Sequence, residues 1–323
     1  MSRWHLMGVL GIVAGLGLNA SAQIEMTWSL AHKRTVLMEP IRATISIVNH
    51  TGQNLDLTPN GNARLGFDVE DQPTSFVAET GHPLVRRAII IPAGETREVE
   101  VNLLNAYRII KGQSYMLRPI LEFGGMRFRG PRLSLEVQPG LELLARNYGM
   151  PGSGEARSVS LRQIHRGRYD RLFFRIDDAD TGWCYGTYEL GRVIRFFVPR
   201  LERDRDGVFH VLHQSAPDRF VQSRFGDDGT PLGMSYYLAE TGNIRLERDE
   251  EGRIAVVGAT PFEQDPARPG VLTAPSLPPA NPYSGQIGEL PPKGRVRPSP
   301  AAPSPRHSSP VQRSTPAEDI VTW

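Results

Sequence analysis

The sequence predicts an all-β protein, and three observations predict it. Acidic-Gly pairs recur in the second half at Asp206-Gly207, Asp228-Gly229 and Glu251-Gly252, at steps of 22 and 23 residues. Such pairs supply the positive φ angles of a tight hairpin turn, and each precedes an apolar run, at 208–212, 232–238 and 254–257. Second, apolar residues alternate with polar ones in short runs. Ile41, Ala43, Ile45 and Ile47 are interleaved with Arg42, Thr44 and Ser46, a period of two that suits a strand with one buried face. Third, Gly, Pro and Asn clusters separate these runs, which favours stacked antiparallel sheets over helices.

Residues 1–22 read as a secretory signal. Arg3 and His5 form a polar start, and residues 6–18 are apolar with glycines between. Ala20-Ser21-Ala22 fits the small-x-small pattern of a cleavage site, which makes Gln23 the expected mature N-terminus. The apolar stretch is short for a membrane span, and no later segment is long and apolar enough for one. The expected location is therefore periplasmic or extracellular, with no membrane span after cleavage.

The first folded domain is expected over 23–138. After the strand at 41–48 comes the turn cluster His50-Thr51-Gly52-Gln53-Asn54. Leu65, Phe67 and Val69 alternate next, then Ile89 to Ile91, then Val99, Val101 and Leu103. Tyr115, Leu117 and Leu121, and finally Leu133, Leu135 and Val137, complete the series. A boundary is expected near Gln138-Pro139-Gly140 or at Met150-Pro151-Gly152-Ser153-Gly154, the latter read as linker. The second domain is expected over 141–262. Its strands are read at 168–176, 183–188, 192–198, 208–214, 219–225, 234–238, 244–246 and 253–258. Beyond residue 262 the composition changes: more than half of the 27 prolines lie after residue 260. The tail 263–323 is expected to be disordered and to sample polyproline-like states, because it has too few apolar residues to offset ordering entropy.

Two resemblances follow from these residues. Glu39-Pro40-Ile41 with its alternating run and Asn49-His50-Thr51-Gly52 resembles the second strand of bacterial exported Ig-like modules. Ile91-Pro92-Ala93-Gly94-Glu95-Thr96, followed by Val99 and Val101, is similar to a turn and strand of the same modules. The resemblance implies an Ig-like β-sandwich acting as a spacer or binding module, and it carries no catalytic residues over. The cysteine pair of antibody-type domains has no counterpart here. In the second domain the acidic-Gly turns resemble hairpin repeats of β-propellers. About 120 residues supply two or three blades, so a compact sandwich or open meander is the expected form.

Charge and cysteine content narrow the function classes. The net charge is +2, and losing Arg3 leaves +1, so no electrostatic case exists for nucleic acid. Arginine makes up 34 of the 37 basic residues and is scattered along the chain. Cys184 is the single cysteine, so the core must come from apolar burial rather than disulfides.

Candidate chemistry is sparse. His210 and His213 invite a metal reading, but residues three apart on a strand face opposite sides. Glu202, Asp204 and Asp206 have the alternate spacing of a calcium loop, yet His213 stands where that loop needs a bidentate acid. Asp178 and Asp180 before Gly182 form a shorter version. Hairpin turns account for both sets, and calcium is the one ion these carboxylates suggest. Cys184 reads as a buried small hydrophobe rather than a nucleophile. Trp183 and Tyr236 are candidates for stacking on a glycan, with Tyr185, Tyr188 and Tyr237 nearby in sequence; cross-strand packing is the competing role. Tyr236 and Tyr237 must place one ring on each face of the sheet.

The leading functional reading is an exported, non-enzymatic protein with a structural or adhesive role in the cell envelope or extracellular space. Its expected partners are envelope proteins or glycans. The second reading is a glycan- or calcium-binding accessory of an envelope enzyme. The third is a hydrolase using the carboxylates Asp178 and Asp204.

Overall fold

The computed structural model describes residues 23–72, 75–150, 154–240 and 242–262. The proposed signal at 1–22 and the proline-rich tail at 263–323 lie outside them. The described chain is all-β, as its alternating runs require.

In the N-terminal half the strands are β1 (Ile24–Leu30), β2 (Arg34–Val36), β3 (Arg42–Asn49), β4 (Leu55–Asp56), β5 (Ala63–Gln72) and β6 (Ser75–Phe76). They are followed by β7 (Ile90–Ile91), β8 (Thr96–Asn102), β9 (Ser114–Phe123), β10 (Met126–Arg129) and β11 (Leu133–Gln138). One sheet has the order β1-β3-β8; a second has β2-β11-β9-β5-β6, with β10 on β9; β4 and β7 pair separately. The ladders are antiparallel except β2 on β11. The alternation seen in the sequence sets the burial. Ile45 and Ile47 of β3 are inside, and they share one core with Leu65 and Phe67 of β5 and Leu117 and Leu121 of β9. Two sheets therefore pack face to face. Met38, in the loop before β3, has φ of 70°, a conformation uncommon for a residue with a side chain.

The C-terminal half contains β12 (Leu141–Gly149), β13 (Ala156–Arg166), β14 (Tyr169–Asp178) and β15 (Cys184–Arg192), paired in that order. After them come β16 (Arg200–Arg203), β17 (Phe209–Ala216), β18 (Arg219–Phe225) and β19 (Pro231–Leu238). The last strands are β20 (Arg245–Arg248), β21 (Ile254–Val257) and β22 (Thr260–Phe262). The second sheet has the order β16-β17-β18-β19-β22, and β20 pairs with β21. The two meanders share a core in which the Phe174 and Phe225 rings stack with centroids 4.1 Å apart.

The acidic-Gly turns are hairpin turns. Gly207, Gly229 and Gly252 have φ of 91°, 83° and 80°, and they join β16 to β17, β18 to β19 and β20 to β21. The Arg205 N–H donates to the Gly252 carbonyl at 3.1 Å, which sets two of the turns side by side.

Two expectations need correction. The stretch 150–154 is not a linker between domains. It joins β12 to β13, which pair along their length from Leu141↔Gln163 to Gly149↔Ala156. The strand read at 192–198 stops at Arg192. There the Val193 N–H bonds Asp170 O and the Ile194 N–H bonds Gln214 O, carrying the chain from one sheet to the next. Ile194, Phe196, Phe197 and Val198 looked strand-like because they are apolar and branched or aromatic. Phe197 is half-buried, edge-on to Phe220 at 5.2 Å, while Phe196 and Val198 are exposed.

Candidate functional site

Two of the carboxylates singled out in the sequence, Asp178 and Asp204, hold turns. Asp178 sits at the end of β14 and caps the turn to β15. Its Oδ1 accepts from the Thr181 N–H (2.8 Å), the Thr181 hydroxyl (2.8 Å) and the Asp180 N–H (3.1 Å), and its Oδ2 from Arg157 Nη1 at 3.3 Å. Burial pushes this carboxyl up, but those hydrogen bonds and the Arg157 charge outweigh it and hold it below its ordinary range. Asp180 is exposed in the same turn.

Asp204 does the same for the β16–β17 turn. Oδ1 accepts from the Val208 N–H (2.8 Å) and the Asp206 N–H (3.0 Å), and Oδ2 lies 2.9 Å from His210 Nε2. Burial raises this carboxyl too, and the bonds from His210, Val208 and Asp206 outweigh it and lower it. Asp206 is exposed. No hydrogen-bond partner is common to Asp178 and Asp204, so the pair suggested for hydrolysis holds two separate turns.

Asp204 terminates a polar chain across the second sheet. The Tyr237 hydroxyl donates to Gln222 Oε1 at 3.1 Å, and Gln222 Nε2 lies 3.0 Å from His210 Nδ1. With the amide so oriented, Nδ1 accepts, the ring proton sits on Nε2, and Nε2–H donates to Asp204. Strand alternation places these side chains on one face, because the register sets Glu202 opposite His210, Leu212 opposite Gln222 and Phe220 opposite Tyr237. Tyr236 accordingly falls on the other face, half-buried with its ring 6.0 Å from Phe262. Trp183 is half-buried in the turn before β15. His213, on the face opposite His210, is fully buried. Cys184 is buried, and burial pushes its thiol up to about 12, which removes the thiolate a nucleophile needs.

The sequence reading missed a cluster at the seam between the two halves. Arg166 Nη2 and Nη1 reach Glu39 Oε2 and Oε1 at 2.6 and 3.0 Å, and Nη1 reaches Glu189 Oε2 at 2.7 Å. Glu39 also accepts the Val36 N–H at 2.9 Å. Beside it the Leu37 carbonyl accepts from the Thr187 hydroxyl at 3.3 Å, and Val36 packs on Ile164 and Phe173. Among the described residues, His32, Glu39 and Glu189 form the one group of three ligand-type side chains with atoms within 4.8 Å of one another. Arg166 already supplies the cation there. The His32 imidazole is pushed down to about 4 by burial first, then by Arg166, Arg171 and Arg42. Three guanidinium groups around the group oppose a metal ion. These contacts join residues 127 apart, and no local motif announces them.

A groove of about 540 Å³ lies beside β16. It is lined by Phe196, Val198, Ile244 and Leu246 together with Arg200 and Glu202. Phe196 and Val198 are 80% and 68% exposed. Their apolar character was visible in the sequence, where the run 192–198 was read as a strand.

No protein-family model matches the chain, and no curated protein matches it. Among solved structures, the K499G mutant of the NanB sialidase from Streptococcus pneumoniae overlays with 8% identity and a TM-score of 0.22, covering 72% of this chain and 48% of that one. The chain thus spans about half the length of that sialidase. A DUF4784 family protein from Bacteroides caccae overlays with 7% identity and a TM-score of 0.20, covering 72% of this chain and 84% of that one. Overlays this loose carry no argument about activity. Among the described residues, no helix is long and apolar enough to cross a membrane.

Proposed function

We propose that the chain is an exported, non-enzymatic binding module of the cell envelope or extracellular space. Export rests on the signal-like pattern of residues 1–22. The Ig-like resemblance makes the N-terminal half a spacer that presents the C-terminal sheets. The observation that carries the binding reading is the groove beside β16, where Phe196 stands 80% exposed next to Val198. Adjacent apolar side chains held in water at the rim of a groove mark an interaction surface more than a scattered exposed residue does. The sequestered Cys184 thiol and the saturated carboxylates of Asp178 and Asp204 favour binding over turnover.

Binding of the mature chain to a glycan array, to calcium by calorimetry and to extended peptides tests this, with Phe196→Ser as control. The expected outcome is a ligand whose affinity falls about tenfold or more in the variant, the loss typical of a central anchor side chain, at unchanged melting temperature. Turnover of a glycoside or ester that disappears in Asp204→Asn would instead establish the hydrolase reading.

A further inference from the structure

We propose that the groove beside β16 receives a segment of this chain's own tail, residues 297–306. The inference rests on reading that groove as the binding surface and names its occupant. The segment is Arg297-Pro298-Ser299-Pro300-Ala301-Ala302-Pro303-Ser304-Pro305-Arg306. Four prolines in eight residues fix φ and remove donors, which favours a polyproline II helix. Such a helix enters a binding site at low entropic cost, because it is extended before it binds. It suits grooves walled by aromatic and apolar side chains, with prolines three apart on one ridge. Pro300 and Pro303 have that spacing.

The groove matches this chemistry. Phe196 and Val198 offer exposed apolar surface, and the half-buried Leu246 lines the groove with them. Glu202 gives it an acidic corner. Its contact with Arg146 is 3.7 Å long and half exposed, so the carboxylate can take an arginine flanking the prolines, Arg297 or Arg306. Arg245 at the rim is held by Glu247 at 2.9 Å, and Arg200 borders Glu202 on the same strand.

Reach is sufficient. The described chain ends at Phe262 on β22, opposite Tyr236 of β19. The sheet order places β22 and β16 four strand spacings apart, or about 19 Å. Residues 262 and 298 are 36 apart in sequence. Random-coil statistics for 36 residues give a root-mean-square span of roughly 33 Å. The groove therefore sees the segment at an effective concentration on the order of millimolar, enough to fill even a weak site.

A spin label tests this in the intact mature chain. Ala302→Cys places a thiol between the prolines, and Cys184 is buried and unreactive, so a nitroxide reagent goes to position 302 alone. The expected result is paramagnetic broadening of the amides of residues 196, 198, 200 to 202 and 244 to 246. The signals should return in Phe196→Ser and in Pro300→Ala/Pro303→Ala. Val198→Ser serves if Phe196→Ser lowers the melting temperature. Unbroadened groove amides, or broadening that survives both sets of substitutions, would overturn the proposal. So would broadening seen only when nitroxide-bearing chains are mixed with isotope-labelled, nitroxide-free ones, since the occupant would then belong to a second copy. No external ligand is needed, so failure here leaves the ligand-binding reading standing, and failure of the ligand screen leaves this result intact.

Discussion

Glu39 and Arg166 join the two halves of the molecule through a two-pronged ion pair of 2.6 and 3.0 Å, with side chains only 8% and 11% exposed. Glu39 stands in the loop between β2 and β3, and Arg166 ends β13. The pair is geometrically restrained: Glu39 is also bonded to the Val36 N–H, and Arg166 also to Glu189. Burial pushes the Glu39 carboxyl up, against the opposing pull of Arg166 and of its hydrogen bonds from Arg166 and Val36. The seam is thus both a desolvation cost and a source of specificity.

Removing one partner of this pair should cost more than removing both. Glu39→Gln leaves Arg166 short of a counter-charge, though Glu189 remains. A loss of about 2 to 4 kcal/mol is expected in urea unfolding, on the scale of broken buried pairs. Glu39→Gln/Arg166→Met should recover part of it. Equal or greater loss in the double variant would show that the seam depends on the charges themselves.

Glycines at the turns should differ in what they tolerate. Gly229 and Gly182 both have positive φ, 83° and 69°. A Cβ on Gly229 would lie 2.9 Å from Ile176 Cγ2, a buried methyl of the facing sheet, whereas one on Gly182 meets nothing within 4 Å. Gly182→Ala should therefore cost only the backbone strain, about 1 kcal/mol. Gly229→Ala should cost at least about 1 kcal/mol more, because a packed methyl must move. Thermal unfolding of the two variants side by side checks this, and equal shifts would contradict it.

That contrast also shows what was legible in the sequence. The spacing of the acidic-Gly pairs and the alternation around Ile45 are local signals, and they led to the turns, the β3 strand and the all-β class. The close fit of Gly229 against Ile176 is not local, since it depends on how one meander packs on the other. The Glu39–Arg166 pair was hidden for the same reason. Phe196 was placed on a strand because an apolar, β-prone run reads as one until the ladder is seen to end at Arg192. Asp204 was noticed for its spacing, but its partner His210 was weighed only against metals. The bond between them needs the register of β16 on β17 to be known.

His213 should make stability fall with acid. Its ring is fully buried, and burial pushes it down to about 4 from 6.5. Between those pH values the unfolded chain holds the proton and the folded chain does not, so stability rises with pH across the window. It is complete above about 6.5 and is lost progressively as pH falls toward 4, by up to about 3 kcal/mol. His213→Leu should flatten this part of the profile. Urea midpoints measured from pH 7 down to 4.5 would test it, and parallel profiles for the two proteins would refute the assignment.

Asp204 should stabilise the second sheet whether or not calcium is present. Its two oxygens take the Asp206 and Val208 N–H groups and the His210 ring, so the carboxylate already has a structural task in the turn without an ion. Asp204→Asn keeps an acceptor for the turn but turns an N–H toward the Nε2–H of His210. The ring can then accept only by moving its proton to Nδ1, where it meets the Gln222 amide N–H. Restoring the chain requires the Gln222 amide to turn over, after which the Tyr237 hydroxyl accepts from its N–H where it had donated to its oxygen. Three groups must reorient together, and the charge-assisted bond to Asp204 is replaced by a neutral one, at a cost of about 1 kcal/mol. Because the Asp204 carboxyl is held below its ordinary value of 3.8, its contribution is present above that pH. It is lost only as pH falls through the lower folded value. Thermal unfolding of wild type and Asp204→Asn at neutral pH, with calcium and with chelator, should therefore give one constant gap between the two proteins. A gap that opens only when calcium is added would make Asp204 a metal ligand, and the β16–β17 turn a calcium site in place of a capped hairpin.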